Sequence, residues 1–244
     1  MLTVIVPCYN EEQSIAQTVG SIVRVTPELD LKVELLLVDD GSSDRTAEEM
    51  EKLCEKFPFC RMKRNEKNLG LGRTVLSCYS QIPRQSWVTV IPGDNEFIFG
   101  SVKNLLAIRH DFDLILGYLQ NTIIRNILRR MASDTFSAIV RFIYGYPYKY
   151  LNGMKLYRIA VFESIEVVST GHAFNAELLA KAILRNPGLR VGEAPFLARG
   201  RSLGQTKAFR LSSIIRAVRD ILVGYRSVSR YRDKIIQSSA EDMG

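Results

Sequence analysis

The sequence predicts an α/β domain built on a mostly parallel sheet flanked by helices. Three observations carry that prediction. Short runs rich in β-branched residues alternate with stretches in which apolar residues recur at helical spacing. The short runs are apolar almost throughout, as strands covered on both faces must be. Acidic residues and glycines gather where those runs end, and ligands of open α/β sheets bind outside the carboxyl ends of the strands.

Residues 2–7 (LTVIVP) read as the first strand. Asn10 is placed as the N-cap of a helix on which Ile15, Val19, Ile22 and Val23 recur, with Glu11 and Glu12 in its first turn. Residues 33–38 (VELLLV) make a second strand that ends in Asp39-Asp40-Gly41-Ser42-Ser43-Asp44, and residues 46–56 make a helix. A third strand near residues 60–63 is followed by Asn65, Asn68, Gly70 and Gly72 and a helix to about Ser80. Those glycines permit a sharp turn or close backbone approach to a ligand. The fourth strand, residues 87–91, delivers Pro92-Gly93-Asp94-Asn95-Glu96. A short helix at 101–109 and a strand at 112–117 come next. Residues 122–146 interleave Ile123, Ile127, Leu128 and Met131 with Arg125, Arg129, Arg130 and Arg141, a basic amphipathic pattern. A strand at 149–157 with Asn152-Gly153 at a turn, a helix at 174–184 and a strand at 189–196 broken by Pro195 follow. Arg199 to Lys207 form a basic, glycine-bearing loop. Residues 211–225 are a second basic amphipathic helix, and the polar end, 227–244, is expected to fray. The domain therefore spans 1–210, including the amphipathic segment 122–146, and 211–244 form a C-terminal helix and tail.

The 244 residues, 46% of them hydrophobic, suit one such domain. No apolar run approaches the ~20 residues that span a bilayer, and residues 1–10 follow a strand pattern rather than a signal peptide. A cytoplasmic protein is expected. Cys8, Cys54, Cys60 and Cys78 lack metal-ligand spacing and read as small core residues with reduced thiols. The net charge of +7 favours partners that carry phosphates. Neither zinc-finger spacing nor an RNA-binding aromatic motif is present, so nucleic acid is not expected among them.

Acidic strand ends and one basic loop need a joint explanation. Asp94 and Glu96, one residue apart, can share a hard cation, which in turn can hold a diphosphate. Asp39-Asp40 offers a carboxylate for a base or ribose, and Arg201 to Lys207 offers cations over a leaving group. A nucleoside diphosphate would use all three.

These pieces, Val4-Ile5-Val6-Pro7-Cys8-Tyr9-Asn10-Glu11, Val38-Asp39-Asp40-Gly41-Ser42-Ser43-Asp44, Asn68-Leu69-Gly70-Leu71-Gly72 and Pro92-Gly93-Asp94-Asn95-Glu96, resemble the family-two glycosyltransferases of the GT-A fold, a Rossmann-like architecture. The second half resembles the dolichol- and polyprenyl-phosphate sugar transferases, through Asn152-Gly153-Met154-Lys155-Leu156-Tyr157, Phe174-Asn175-Ala176-Glu177 and Glu193-Ala194-Pro195 onward to Lys207. The resemblance implies that Pro7, Tyr9, Asn10, Glu11, Asp39 and Asp40 form a pocket for a UDP- or GDP-linked sugar. It implies that Asp94 and Glu96 hold Mg²⁺ or Mn²⁺, Glu96 standing where the motif usually has a second aspartate. Arg201 and Lys207 would act with Asp94 in catalysis, against the donor diphosphate and the acceptor phosphate. Arg129 and Ser133 would contact the phosphate of a polyprenyl phosphate acceptor, and Glu177 would support the site. Relatives' membrane-spanning extensions have no counterpart here, which implies peripheral attachment to the cytoplasmic face of a membrane, directly or through a small membrane-anchoring subunit. The expected reaction is metal-assisted sugar transfer with inversion to a polyprenyl phosphate. Transfer to a saccharide or protein hydroxyl, and a non-catalytic nucleotide-sugar-binding subunit, stay open as alternatives.

Overall fold

The computed structural model describes residues 1–121, 127–148, 152–169, 173–199 and 211–241 of the chain. Strands β1 (Leu2–Cys8), β2 (Val33–Asp39), β3 (Cys60–Arg64), β4 (Trp87–Val90), β5 (Leu114–Leu119), β6 (Lys155–Arg158) and β7 (Val191–Phe196) form one sheet. Their order is β3-β2-β1-β4-β6-β5-β7. Only β6, among the described strands, runs antiparallel to its neighbours. Helices α1 (Ile15–Val25), α2 (Thr46–Lys56), α3 (Leu71–Leu76), α4 (Val102–Ala107), α5 (Ile127–Tyr144), α6 (Phe174–Arg185) and α7 (Leu211–Glu241) flank it.

Every residue of β1 is buried, which explains its unbroken apolar run. Alternate side chains serve opposite faces. Leu2, Val4 and Val6 pack with Ile15, Val19 and Ile22 of α1, while Ile5 joins the layer formed by Val75 of α3 and Phe174 and Leu178 of α6. Each such side chain contributes about 1.5–3 kcal/mol by leaving water. The central position of β1 thus rests on two cores at once.

Three elements depart from the sequence reading for physical reasons. Helix α1 starts at Ile15 rather than near Asn10, because Glu11 O accepts the N–H groups of Ser14 and Ile15 and closes a turn before the helix. Pro195 lies inside β7 instead of breaking it, since β7 is the sheet's edge strand and pairs with β5 alone. Helix α7 continues through the polar stretch to Glu241. Neither glycine nor proline interrupts residues 225–241, and Ser227 accepts a 2.8 Å hydrogen bond from Lys181 of α6.

Candidate active site

The strand order reverses direction between β1 and β4, which is where open α/β sheets leave a ligand crevice. The register of β1 with β4 ends at Ile5 and Val90. Past that point the chains stay linked only through backbone bonds from Ile91 N to Ile5 O and from Gly93 N to Pro7 O, 2.9 and 3.1 Å. On the other side Asp40 N donates to Cys8 O at 2.8 Å. Gly93 is required for this closeness. A Cβ there would stand 2.2 Å from the Cys8 sulfur.

The loop after β1 and the loop after β2 are cross-tied. Asn10 N donates to Ser42 Oγ at 3.0 Å, and Ser43 N donates to Asn10 Oδ1 at 2.9 Å. Glu11 N donates to Thr46 Oγ1 at 2.8 Å, and Glu12 N to Asp44 Oδ2 at 3.3 Å. Asn10 sits at φ 57°, a left-handed conformation that asparagine tolerates. Its amide therefore braces the facing loop instead of capping α1. Tyr9, half exposed at 49%, projects from this frame as a flat surface.

Adjacent carboxylates at the end of β2 do different jobs. Asp39, 0% exposed, accepts Ser42 N at 2.9 Å through Oδ1 and faces Arg64 Nε at 3.1 Å through Oδ2. Asp40, expected in the nucleotide pocket beside Asp39, is engaged by the segment that follows β3. Its Oδ1 accepts from Asn65 Nδ2, Leu69 N and Thr74 Oγ1 at 2.9, 2.9 and 2.6 Å, and its Oδ2 from Gly70 N at 3.0 Å. These donors saturate a buried carboxylate, so Asp40 fixes the 65–74 segment beneath the crevice. Gly41 completes the fit. At φ +72° it brings the chain so near that a Cβ would lie 2.6 Å from the Lys67 carbonyl carbon.

Asp94 and Glu96 follow β4, as the sequence required. Asp94 Oδ1 accepts Glu96 N at 3.0 Å in a tight turn whose middle residue, Asn95, has φ 56°. Glu96 is buried. The returning chain runs alongside: Phe97 bridges to Ala198, Arg199 N donates to Glu96 O at 2.7 Å, and Arg199 Nη1 donates to Asn95 Oδ1 at 2.6 Å. Burial pushes the Cys8 thiol well up, and Glu11, Asp39, Asp94 and Asp44 push it further in the same direction. The charges that follow β1, β2 and β4 thus all act on one buried thiol. Hard oxygen donors in an acidic crevice suit a divalent cation, so Asp94 and Glu96 fit the expected ion. No group of three or more potential metal ligands occurs among the described residues.

Beside this crevice, on the α3 and α6 face of the sheet, lies a cavity of about 70 Å³. Pro92 and Phe97, which flank the acid motif, form part of its wall, and Lys155, Asn152 and Asn175 supply polar groups. Asn175 Nδ2 donates to Asn152 Oδ1 at 3.0 Å. Sequence reasoning quoted these residues without giving them a role. Arg64 was missed as well, although the parallel register that sets Asp39 beside Arg64 would have exposed it.

Of the expected residues, Arg201 and Lys207 lie outside the described residues, and Arg129 and Ser133 are on α5 at positions whose side chains are not described. Glu177, expected to support the site, is 0% exposed and pairs with Lys181 at 2.8 Å. It also accepts Ser169 N at 2.9 Å and the Ser169 hydroxyl. Glu177 therefore ties α6 to the 166–169 segment and, through Lys181 and Ser227, to α7.

Residues 3–165 match the model of a known family, described as glycosyl transferase family 2. The chain belongs to glycosyl transferase family 2. This family-2 glycosyltransferase is 24% identical over 225 residues to the dodecaprenyl-phosphate galacturonate synthase of Rhizobium johnstonii, covering 91% of the chain and 65% of that protein. It is 29% identical over 216 residues to the polyprenol monophosphomannose synthase of Mycolicibacterium smegmatis, covering 84% of the chain and 79% of that protein. Its fold is the GT-A fold. The glucosyl-3-phosphoglycerate synthase of Mycobacterium tuberculosis, solved with Mn²⁺, UDP and phosphoglyceric acid, superposes with a TM-score of 0.67 at 17% identity. That match covers 93% of this chain and 78% of the other.

Proposed function

We propose that this transferase moves a sugar from a UDP- or GDP-linked donor to a polyprenyl phosphate with inversion, assisted by Mg²⁺ or Mn²⁺. The observation that carries the reading is the placement of Asp39 at the end of β2 and of Asp94 and Glu96 just past β4, the two strands that flank β1 at the switch point, with Arg199 N bonded to Glu96 O. The named activities of two relatives, each a synthase of a sugar-linked polyprenyl phosphate, support the acceptor class.

Asp39 binds the ribose or base, with Tyr9 against the base and Asn10 and Pro7 shaping the floor. Asp94 and Glu96 hold the divalent ion, which when bound screens the diphosphate and stabilises its departure. Arg201 and Lys207 neutralise the donor diphosphate and the acceptor phosphate, and Arg129 and Ser133 seat the acceptor. A lipid phosphate is already anionic, so the protein's work is positioning and electrostatic stabilisation rather than removal of a proton. His110, exposed beyond α4 at the end of the sheet opposite the crevice, is out of reach of the site.

The enzyme acts at the cytoplasmic face of a membrane. No helix among the described residues is long and apolar enough to cross one. Helices α5 and α7 meet where the Tyr144 and Tyr225 rings lie 6.3 Å apart. Around that junction Ile139, Phe142, Val218, Leu222 and Val223 are exposed among Arg141, Arg219 and Arg226. Apolar side chains interspersed with cations suit an anionic lipid surface.

The test is transfer of radiolabel from UDP- and GDP-sugars to polyprenyl phosphate and to saccharide acceptors. Label is expected in the lipid phase, dependent on Mg²⁺ or Mn²⁺, and reduced at least 100-fold in Asp94→Asn, on the order of one lost charge stabilisation. Label confined to a saccharide would overturn the acceptor assignment, and unchanged turnover in Asp94→Asn would overturn the assignment of the metal site.

A further inference from the structure

Lys155 opens β6, and because β6 is antiparallel its first residue lies where β4 ends. Lys155 pairs with Leu116 midway along β5, and Leu156 pairs with Thr89, one residue before the end of β4. A parallel strand would have put its first residue at the far edge of the sheet. The amine is thereby delivered into the cavity that shares Pro92 and Phe97 with the acid motif.

That amine has almost nothing to bind. Its contact among the described residues is a long hydrogen bond, 3.3 Å, to the Gly153 carbonyl two residues away. The helices facing it contribute Leu71 and Val75 from α3 and Phe174 and Asn175 from α6, none of them charged. The titratable groups lining the cavity besides Lys155 are Tyr79 and Tyr157, whose hydroxyls bond each other at 2.8 Å. Burial drives both phenols far above neutrality. An ammonium group with three donors and no counter-charge among the described residues, in a largely apolar cavity, is suited to receive an anion.

We infer that Lys155 contacts a phosphate oxygen of a substrate, serving as a cation on the β6 side of the reaction centre. The inference rests on the proposed function, which supplies two phosphates, one on the donor nucleotide and one on the lipid acceptor. Desolvation lowers the free amine to about 7. A bound anion restores the charged form, so binding draws a proton from solution. The uptake attributable to Lys155 rises with pH, as the free amine loses its proton and the bound one keeps it.

The experiment is calorimetry of the whole chain in buffers of different ionisation enthalpy, at pH 7 and 8. One arm titrates the nucleoside diphosphate with Mg²⁺, the other a short-chain polyprenyl phosphate. Wild type is compared with Lys155→Met, which fills similar space without charge, and with Lys155→Arg, which is always charged. The wild type is expected to take up more protons than Lys155→Met in one arm, and that arm identifies which phosphate is contacted. Lys155→Met should bind that ligand about tenfold or more weakly. Lys155→Arg should keep the affinity, lose the uptake and bind equally well at both pH values. Binding of both ligands with the same uptake in wild type and Lys155→Met overturns the inference and leaves the functional reading intact. Failure of the wild type to bind either ligand overturns both.

Discussion

At the residue scale, neighbouring carboxylates in one acidic pair behave as different chemical devices. Asp40 is saturated by backbone and side-chain donors, whereas Asp39 keeps one oxygen toward the Arg64 guanidinium. Asp40→Asn would place an amide N–H against donor N–H groups and is expected to cost about 1–3 kcal/mol in urea unfolding. Asp39→Asn should instead weaken nucleotide binding, read by titration with the nucleoside diphosphate. The buried Glu177–Lys181 pair gives a second expectation. Burial raises the Glu177 carboxyl, but hydrogen bonds from Lys181 and Ser169 outweigh it and leave the group below its ordinary value of 4.5. Its stabilising contribution is present above that value and lost as pH falls through the depressed one. Glu177→Gln, which strands the Lys181 ammonium, should lose about 3–5 kcal/mol at neutral pH. The gap between variant and wild type should narrow in urea titrations below pH 4.5, the carboxyl's ordinary value.

At the scale of elements, strands and helices were legible where burial or spacing leaves a period. Helix α2 begins and ends at the residues that the apolar spacing indicates, and β1, β2 and β4 end within a residue of the expected positions. The chemistry-bearing ends were legible too, because Asp94 and Glu96 follow directly from a buried strand. What escaped was tertiary in origin. Nothing local distinguishes Asp40 from Asp39, since the donors that occupy Asp40 arrive from residues 65–74. Lys155 carried no signal without knowing that β6 is reversed, and the length of α7 depends on its packing against α6. The loop elements give a sharp expectation at Gly41. Its positive φ, and a neighbouring backbone only 2.6 Å from where a Cβ would stand, leave no room for a side chain. Gly41→Ala should lower the melting temperature by several degrees, as expected for about 1–3 kcal/mol of overpacking, and should weaken nucleotide binding by displacing the 40–46 loop.

For the whole molecule, the net charge of +7 and the exposed apolar side chains of α5 and α7 predict attachment to an anionic lipid surface. Flotation with anionic liposomes should carry the chain upward at low salt and release much of it near 0.5 M salt, where screening is short-ranged. Phe142→Asp, at a side chain 90% exposed, should reduce flotation without lowering stability. Recovery of wild type entirely in the bottom fraction at low salt would point to a recruiting membrane subunit. The placement of β6 between β4 and β5 also bears on how the molecule is made. During synthesis β4 emerges with an open edge, and β5 is complete before the strand that joins it to the rest of the sheet. Leu156, paired with Thr89 on one side and Ile115 on the other, is therefore the seam at which an otherwise divided sheet becomes one. Closure of that seam is a long-range, entropically costly event, and until it occurs an unpaired strand edge is open to neighbouring chains on crowded ribosomes.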